Sequence, residues 1–431
     1  MDLDSGNTAW VLASGALVLF MTPGLAFFYG GMVRSKNVLG MLMQNFFSMG
    51  LVSVLWAVIG FSLAFGDGGK FIGNFDFAGL SKIASDTFVL PGYVDASATG
   101  GPNLALSIPP LAFCLFQLMF AIITPALITG AIADRVKFRG WVVFLGAWLI
   151  LVYAPVAHWV FSPLGWLFQE GALDFAGGTV VHINAGIAAL AAVLVAGKRK
   201  GWPNEAMPPH SLPLTLLGTG ILWFGWFGFN AGSALGANNL AAQAFLNTNN
   251  AAAAAMIGWL IVERLKTGHA TTLGGASGAV AGLVAITPCA GFVGGMSPIV
   301  IGFSAGILCF LAIQLKFKLG YDDSLDVVGV HLVGGIVGSL MVGLFADVGI
   351  NSLGADGLFF GGGGTLLGKQ AMAVGATLVW SFVISFVLAK VIDMTIGFRI
   401  SPDDEAVGLD LTQHAEHAYS FGDLGSMGRA G

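Results

Sequence analysis

Charge is what this chain lacks most: of its 431 residues only 10% are Asp, Glu, Lys or Arg, where a soluble domain carries about 25%. Beside 56% hydrophobic residues, that scarcity excludes an ordinary soluble fold and leaves a polytopic membrane protein built of helices. The net charge of -5 is too small and too dispersed to point to a nucleic-acid or acidic-substrate partner. Cysteine is scarce as well. Cys114, Cys289 and Cys309 lie in or beside apolar runs without CxxC spacing, which argues against a disulfide or metal framework. The first ten residues, MDLDSGNTAW, hold no basic n-region and no cleavage-like site, so the expectation is that the first helix itself inserts. No nucleophile-base constellation is visible, and the run Gly361 to Gly364 has no phosphate-loop context, so neither an enzyme nor a cofactor is expected. What is abundant is glycine, 64 residues, which lets transmembrane helices approach closely.

A bilayer core takes roughly 20 apolar residues of helix to cross, and eleven stretches qualify. They cover about 9–33, 38–65, 105–133, 141–162, 178–197, 212–230, 249–266, 271–288, 298–317, 327–346 and 369–396, the seventh beginning in polar residues. An odd count puts the termini on opposite sides. Of the 18 Lys and Arg, all but Lys70, Lys82 and Lys369 fall on the side of the C-terminal end. By the positive-inside rule the N-terminus is outside and the tail from about residue 397 is cytoplasmic. The chain is expected to form a transmembrane domain, 1–396, and a cytoplasmic tail, 397–431.

One local pattern occurs twice. Asp174-FAGGTVV-His182-INA-Gly186-Ile187 and Asp323-SLDVVGV-His331-LVG-Gly335-Ile336 each set an aspartate eight residues before a histidine and Gly-Ile after it. Both histidines sit inside long apolar spans, where an ionisable side chain is costly and marks a cavity or pathway. The two host helices are five apart, so the halves run in opposite directions: an inverted five-helix repeat, which in transporters places the site at the interface between halves. Facing imidazoles have three readings. A metal site wants a third ligand, and none lies at ligand spacing. A structural pair would satisfy only itself. In a conduction path the neutral rings, favoured by desolvation, would offer one donor and one acceptor to a small polar solute.

Four segments carry a family resemblance: PGLAFFYGGMVRSKNVLG at 23–40, GALDFAGGTVVHINAGIA at 171–188, WFGFNAGSALGAN at 226–238 and DVVGVH at 326–331. In order and spacing they resemble ammonium transporters of the Amt/Mep/Rh superfamily, bacterial Amt type, over residues 8 to 420. The resemblance implies the eleven-helix ammonium-transporter fold with its inverted repeat, a homotrimer with one pore per subunit, a place in the cell's cytoplasmic (inner) membrane, and uptake of ammonium, with methylammonium as analogue. It also implies roles. His182 and His331 match the twin histidines of the pore, and Phe120 and Phe229 its phenylalanine gate. Phe116 and Ser233 match an outer recruitment site, where an aromatic face attracts the cation and a hydroxyl accepts one of its hydrogens. Phe161 stands where most relatives have tryptophan, so recruitment should be weaker unless Trp159 or Trp166 substitutes. Asp174 caps its helix, with an electrostatic contribution to cation attraction, and Trp226 supports the pore. The segment GLDLTQHAEHAYSF at 408–421 resembles tails regulated by a PII-type signalling protein. His158, His210, His269, His414 and His417 are assigned no chemical role. Rival readings are an ammonium sensor and a passive gas channel of the Rh type.

Overall fold

The computed structural model describes residues 3–85, 88–99 and 101–419. Arg429 and the last two residues of the 408–421 segment lie outside them. Among the described residues there is no strand, only the isolated bridges Asp95–Asn103 and Val136–Arg399. Ten helices are long and apolar enough to span a membrane: α1 Ser5–Met32, α2 Ser35–Phe65, α3 Pro110–Ile128, α4 Phe138–Gln169, α5 Gly178–Ala196, α6 Leu212–Gly232, α7 Asn239–Thr267, α9 Ser297–Leu319, α10 Val328–Phe345 and α11 Thr365–Thr395. Between α7 and α9 lies α8, Thr272–Ile286, apolar but only 15 residues long. The sequence-based boundaries differ most where a polar cap overrides hydropathy. α7 starts ten residues before the expected 249, because Asn238 caps it by accepting from the Ala241 N–H (3.0 Å). The polar residues that weaken its hydropathy are used inward, Asn247 donating to the Ala290 and Val293 carbonyls (2.9 and 2.7 Å). α3 starts late, at the proline pair 109–110, with proline in the first turn where its missing N–H costs nothing.

α11 is a strap across both halves. Its outward face carries Val379, Val383, Val387 and Val391, all exposed and spaced by four. The opposite face is small and polar: Ser381 donates to the Asn184 carbonyl (3.0 Å) and Ser385 accepts from the Trp148 indole (2.9 Å). Near its start, Gln370 donates to the Leu173 carbonyl (2.8 Å) and to the Ser339 carbonyl (2.9 Å), one partner in each half.

At the tail face, buried charges knit the halves together. Asp134 pairs with Arg34 (3.0 Å) and Arg199 (3.6 Å), and Arg199 pairs with Asp322 (2.8 Å). Burial pushes the Asp322 carboxyl up, but the Arg199 and Arg135 guanidiniums hold it below the usual carboxylate range. Two short helices, α12 Pro402–Val407 and α13 Leu409–His414, lie against this knot. The Leu409 N–H donates to Asn37 Oδ1 (2.8 Å), whose Nδ2 donates to Asp134 Oδ1 (2.5 Å), and Asp410 accepts from the Gly40 N–H (2.9 Å).

Candidate functional site

Each of the two histidines rides on a π turn at the start of its helix: Gly178–Ile183 for His182 and Val328–Leu332 for His331. Such turns widen the backbone by one residue and recur at functional positions. The aspartate eight residues earlier starts each turn. Asp174 accepts from the N–H groups of Gly177 and Gly178 (both 2.7 Å) and Thr179 (2.8 Å), and from the Thr179 hydroxyl. Burial pushes its carboxyl above the usual range, while these donors pull the other way. Asp323 accepts from the N–H groups of Val327 (3.1 Å) and Val328 (2.7 Å). The glycine four residues after each histidine allows the halves to touch. A Cβ on Gly186 would lie 2.5 Å from the Leu332 nitrogen, and one on Gly335 would lie 3.1 Å from His182 Cβ.

That approach brings the rings edge to edge. His182 and His331 are buried, their centroids 5.4 Å apart and their planes 20° from parallel, with the two Nδ1 atoms at 3.3 Å. At that separation one Nδ1 donates and the other accepts, so the rings hold opposite tautomers. Among the described residues His182 Nε2 has no hydrogen-bond partner. The His182 ring borders an apolar cavity of about 10 Å³ shared with His331, Trp226, Phe229, Val181 and Val280. That is room for about one water-sized molecule.

From the pair a file of aromatic rings leads toward the face that carries the N-terminus. Phe229 lies 6.1 Å from His182 and 4.4 Å from Phe120. Phe120 in turn meets Phe116 edge-on at 4.9 Å and Phe161 at 6.4 Å. Ser233 sits one helical turn beyond Phe229 and donates to its carbonyl (2.9 Å), leaving its lone pairs to accept. Trp226 stacks on His182 at 5.4 Å and 16°, and its indole N–H donates to Thr287 Oγ1 (2.9 Å). All the expected site residues except Asp174 thus lie in or beside one column; Asp174 holds the His182 turn. The suggested substitutes for the missing tryptophan are engaged elsewhere. Trp159 donates to the Phe71 carbonyl (2.7 Å) and packs on Trp380 and Trp166, so Phe161 is the ring beside Phe120.

Two further residues, neither expected to take part, brace the surroundings of the column. Thr287 closes α8, outside every motif. His158 is fully buried, with Nδ1 2.8 Å from the Ala64 carbonyl and Nε2 2.7 Å from the Gly69 carbonyl, tying α4 to the loop after α2. Among the described residues no three His, Cys, Asp or Glu side chains gather as metal ligands.

Comparison with known proteins bears on the whole column. The pattern of the Ammonium Transporter Family matches residues 9–419. A protein of Mycobacterium tuberculosis named ammonium transporter is 53% identical, the match covering 97% of this chain and 91% of that protein. The crystal structure of Candida albicans Mep2 superposes with a TM-score of 0.85 at 35% identity, covering 97% of this chain and 91% of that one. A structure titled Sensor Amt Protein superposes with a TM-score of 0.84 at 30% identity, covering 95% and 98%. The chain belongs to the ammonium transporter family, and it is a multi-pass membrane protein that transports ammonium.

Proposed function

We propose that ammonium is recruited at Phe116, Phe161 and Ser233, loses a proton before the Phe120–Phe229 pair, and passes His182 and His331 as neutral ammonia. The observation that carries this reading is the buried column of rings ending on two imidazoles that share one hydrogen. Selectivity follows from charge. Ammonium and potassium are nearly equal in size, but only ammonium can give up its charge as a proton. Holding an ion at membrane depth costs about 2.5 to 3.5 kcal/mol or more. Contact with ring faces returns only about 0.5 to 2 kcal/mol. A potassium ion is therefore turned back at the phenylalanines, while ammonia, no larger than a water, fits the small cavity beside the His182 ring. Asp174 acts through structure, holding the turn that aims His182, and Trp226 walls the same space.

In the same reading the N-terminal face is outside, the chain sits in the cytoplasmic membrane as a homotrimer with one pore per subunit, and residues 397–431 form a cytoplasmic regulatory tail that a PII-type protein can engage. Likeness to a protein titled as a sensor gives one rival a footing: binding that signals through the docked tail, with flux incidental. Currents in proteoliposomes on a solid-supported membrane separate the two. His182→Ala and His331→Ala should each abolish the ammonium-evoked current or admit potassium. Unchanged current and selectivity in both variants would overturn the pore mechanism, and ammonium-dependent protection of the tail from trypsin in variants without current would favour the sensor.

A further inference from the structure

Trp226 and His182 face each other almost plane to plane, and both line the same small cavity. With so little space beside them, a tilt of the indole changes the width of the passage. What holds the indole is therefore part of what decides which amines fit.

The holding atom is Thr287 Oγ1, at the C-terminal end of α8. It accepts from the Trp226 N–H at 2.9 Å, while its own hydrogen goes to the Leu283 carbonyl at 2.8 Å. A hydroxyl whose hydrogen is committed to the carbonyl four residues back presents only lone pairs to the indole, so the direction of the contact is fixed. Thr287 is fully buried, which leaves no water to take its place. The next residue reaches the opposite wall. Pro288 abuts Gly178, the first residue of the His182 turn, so closely that a Cβ there would lie 2.5 Å from Pro288 Cγ. Its carbonyl also accepts from the Phe175 N–H (3.2 Å), just before that turn. One Thr-Pro corner thus locates both rings. A bland role is available too, since a threonine bonded to the carbonyl four residues back can simply finish a helix. That role would affect stability and leave substrate choice untouched.

We propose that Thr287 is a positioning residue that sets the size limit of the passage: by pinning Trp226 against His182 it favours ammonia over methylamine. The inference rests on the proposed passage of neutral amine past the twin histidines.

The test is the ratio of methylammonium to ammonium transport in proteoliposomes, for wild type, Thr287→Val, Thr287→Ser, Trp226→Phe and the Val/Phe double variant. Thr287→Val keeps the shape and removes the acceptor, and should raise the ratio by about threefold to tenfold, the factor that a net hydrogen bond of ordinary strength represents. Thr287→Ser should restore the wild-type ratio. In the Trp226→Phe background, where no indole N–H exists, Thr287→Val should shift the ratio no further. A wild-type ratio in Thr287→Val, no rescue by serine, or an equal shift in both backgrounds would each overturn the proposal. Should Thr287→Val alone fail to fold, the double variant decides: recovery of folding and an altered ratio supports the contact, and continued misfolding assigns Thr287 to helix structure only. His182→Ala run in parallel separates the two levels. If it leaves both the ammonium flux and the ratio unchanged, the pore reading fails; if it abolishes the flux or alters the ratio while Thr287→Val does neither, only this inference is lost.

Discussion

Gly186 and Gly335 occupy equivalent positions but unequal spaces. A methyl group on Gly186 meets backbone, the Leu332 nitrogen at 2.5 Å, whereas one on Gly335 meets its neighbours at 3.0 to 3.1 Å. Overpacking of this kind typically costs about 1 to 3 kcal/mol. Gly186→Ala should therefore lower the apparent melting temperature in detergent more than Gly335→Ala, and lose more transport; the reverse order would mean that the histidine separation is not set by this contact. Phe161 makes a second case. Tryptophan binds cations best among the aromatic rings, so Phe161→Trp should lower the KM for ammonium by about twofold, with the maximal rate unchanged. An unaltered KM would remove Phe161 from the recruitment site. At this scale the histidines were legible because a titratable ring in an apolar run is conspicuous. The phenylalanines were not, since 34 are present and only their spacing in a family pattern separates Phe120 and Phe229 from the rest. Thr287 was invisible: its role depends on an indole 61 residues away.

At the level of elements, the starting turns of α5 and α10 are the pieces that matter, and Asp174 lets the two readings of its role be separated. If it works as a cap, Asp174→Asn should keep part of the function, because an amide oxygen can still accept, and Asp174→Ala should cost about 0.5 to 2 kcal/mol in stability. If its charge attracts the cation, both variants should raise KM equally at unchanged melting temperature. Thermal melts and KM measured on the same preparations decide between them. The existence and order of these elements were readable from hydropathy alone. Their ends were not, as α7 illustrates: Asn238, Gln243 and Asn247 look like loop residues until the carbonyls that Asn247 satisfies are seen. The π turns were equally hidden, because an extra residue in a helical turn leaves no mark on apolar periodicity.

Over the whole molecule, the tail and the strap helix bind the halves into one body. Glu405 is buried, accepts from Arg399 (2.8 Å) and from the Lys200 N–H (2.7 Å), and Arg399 also donates to the Ala196 carbonyl at the end of α5 (2.9 Å). Removing one partner leaves the other charge uncompensated. Glu405→Ala should thus free the tail, read as a severalfold faster tryptic cut after Arg399 in purified protein, and unchanged cleavage would show that the tail is held by its apolar contacts instead. The sequence placed the basic residues on this side but could not reveal that several are consumed in a buried network joining α5, α9 and the tail.

The twin Asp-to-Gly segments meet as copies turned end over end, Gly335 lodging against His182 and Gly186 against the backbone of Leu332, next to His331. A molecule arriving at the centre from either side therefore meets one imidazole of a like pair, but Trp226 and Phe229 crowd the His182 ring. The pairing itself prefers neither inward nor outward travel, so any rectification has to originate in what surrounds it, the aromatic column on one side and the docked tail on the other, or in the gradients that drive the flow.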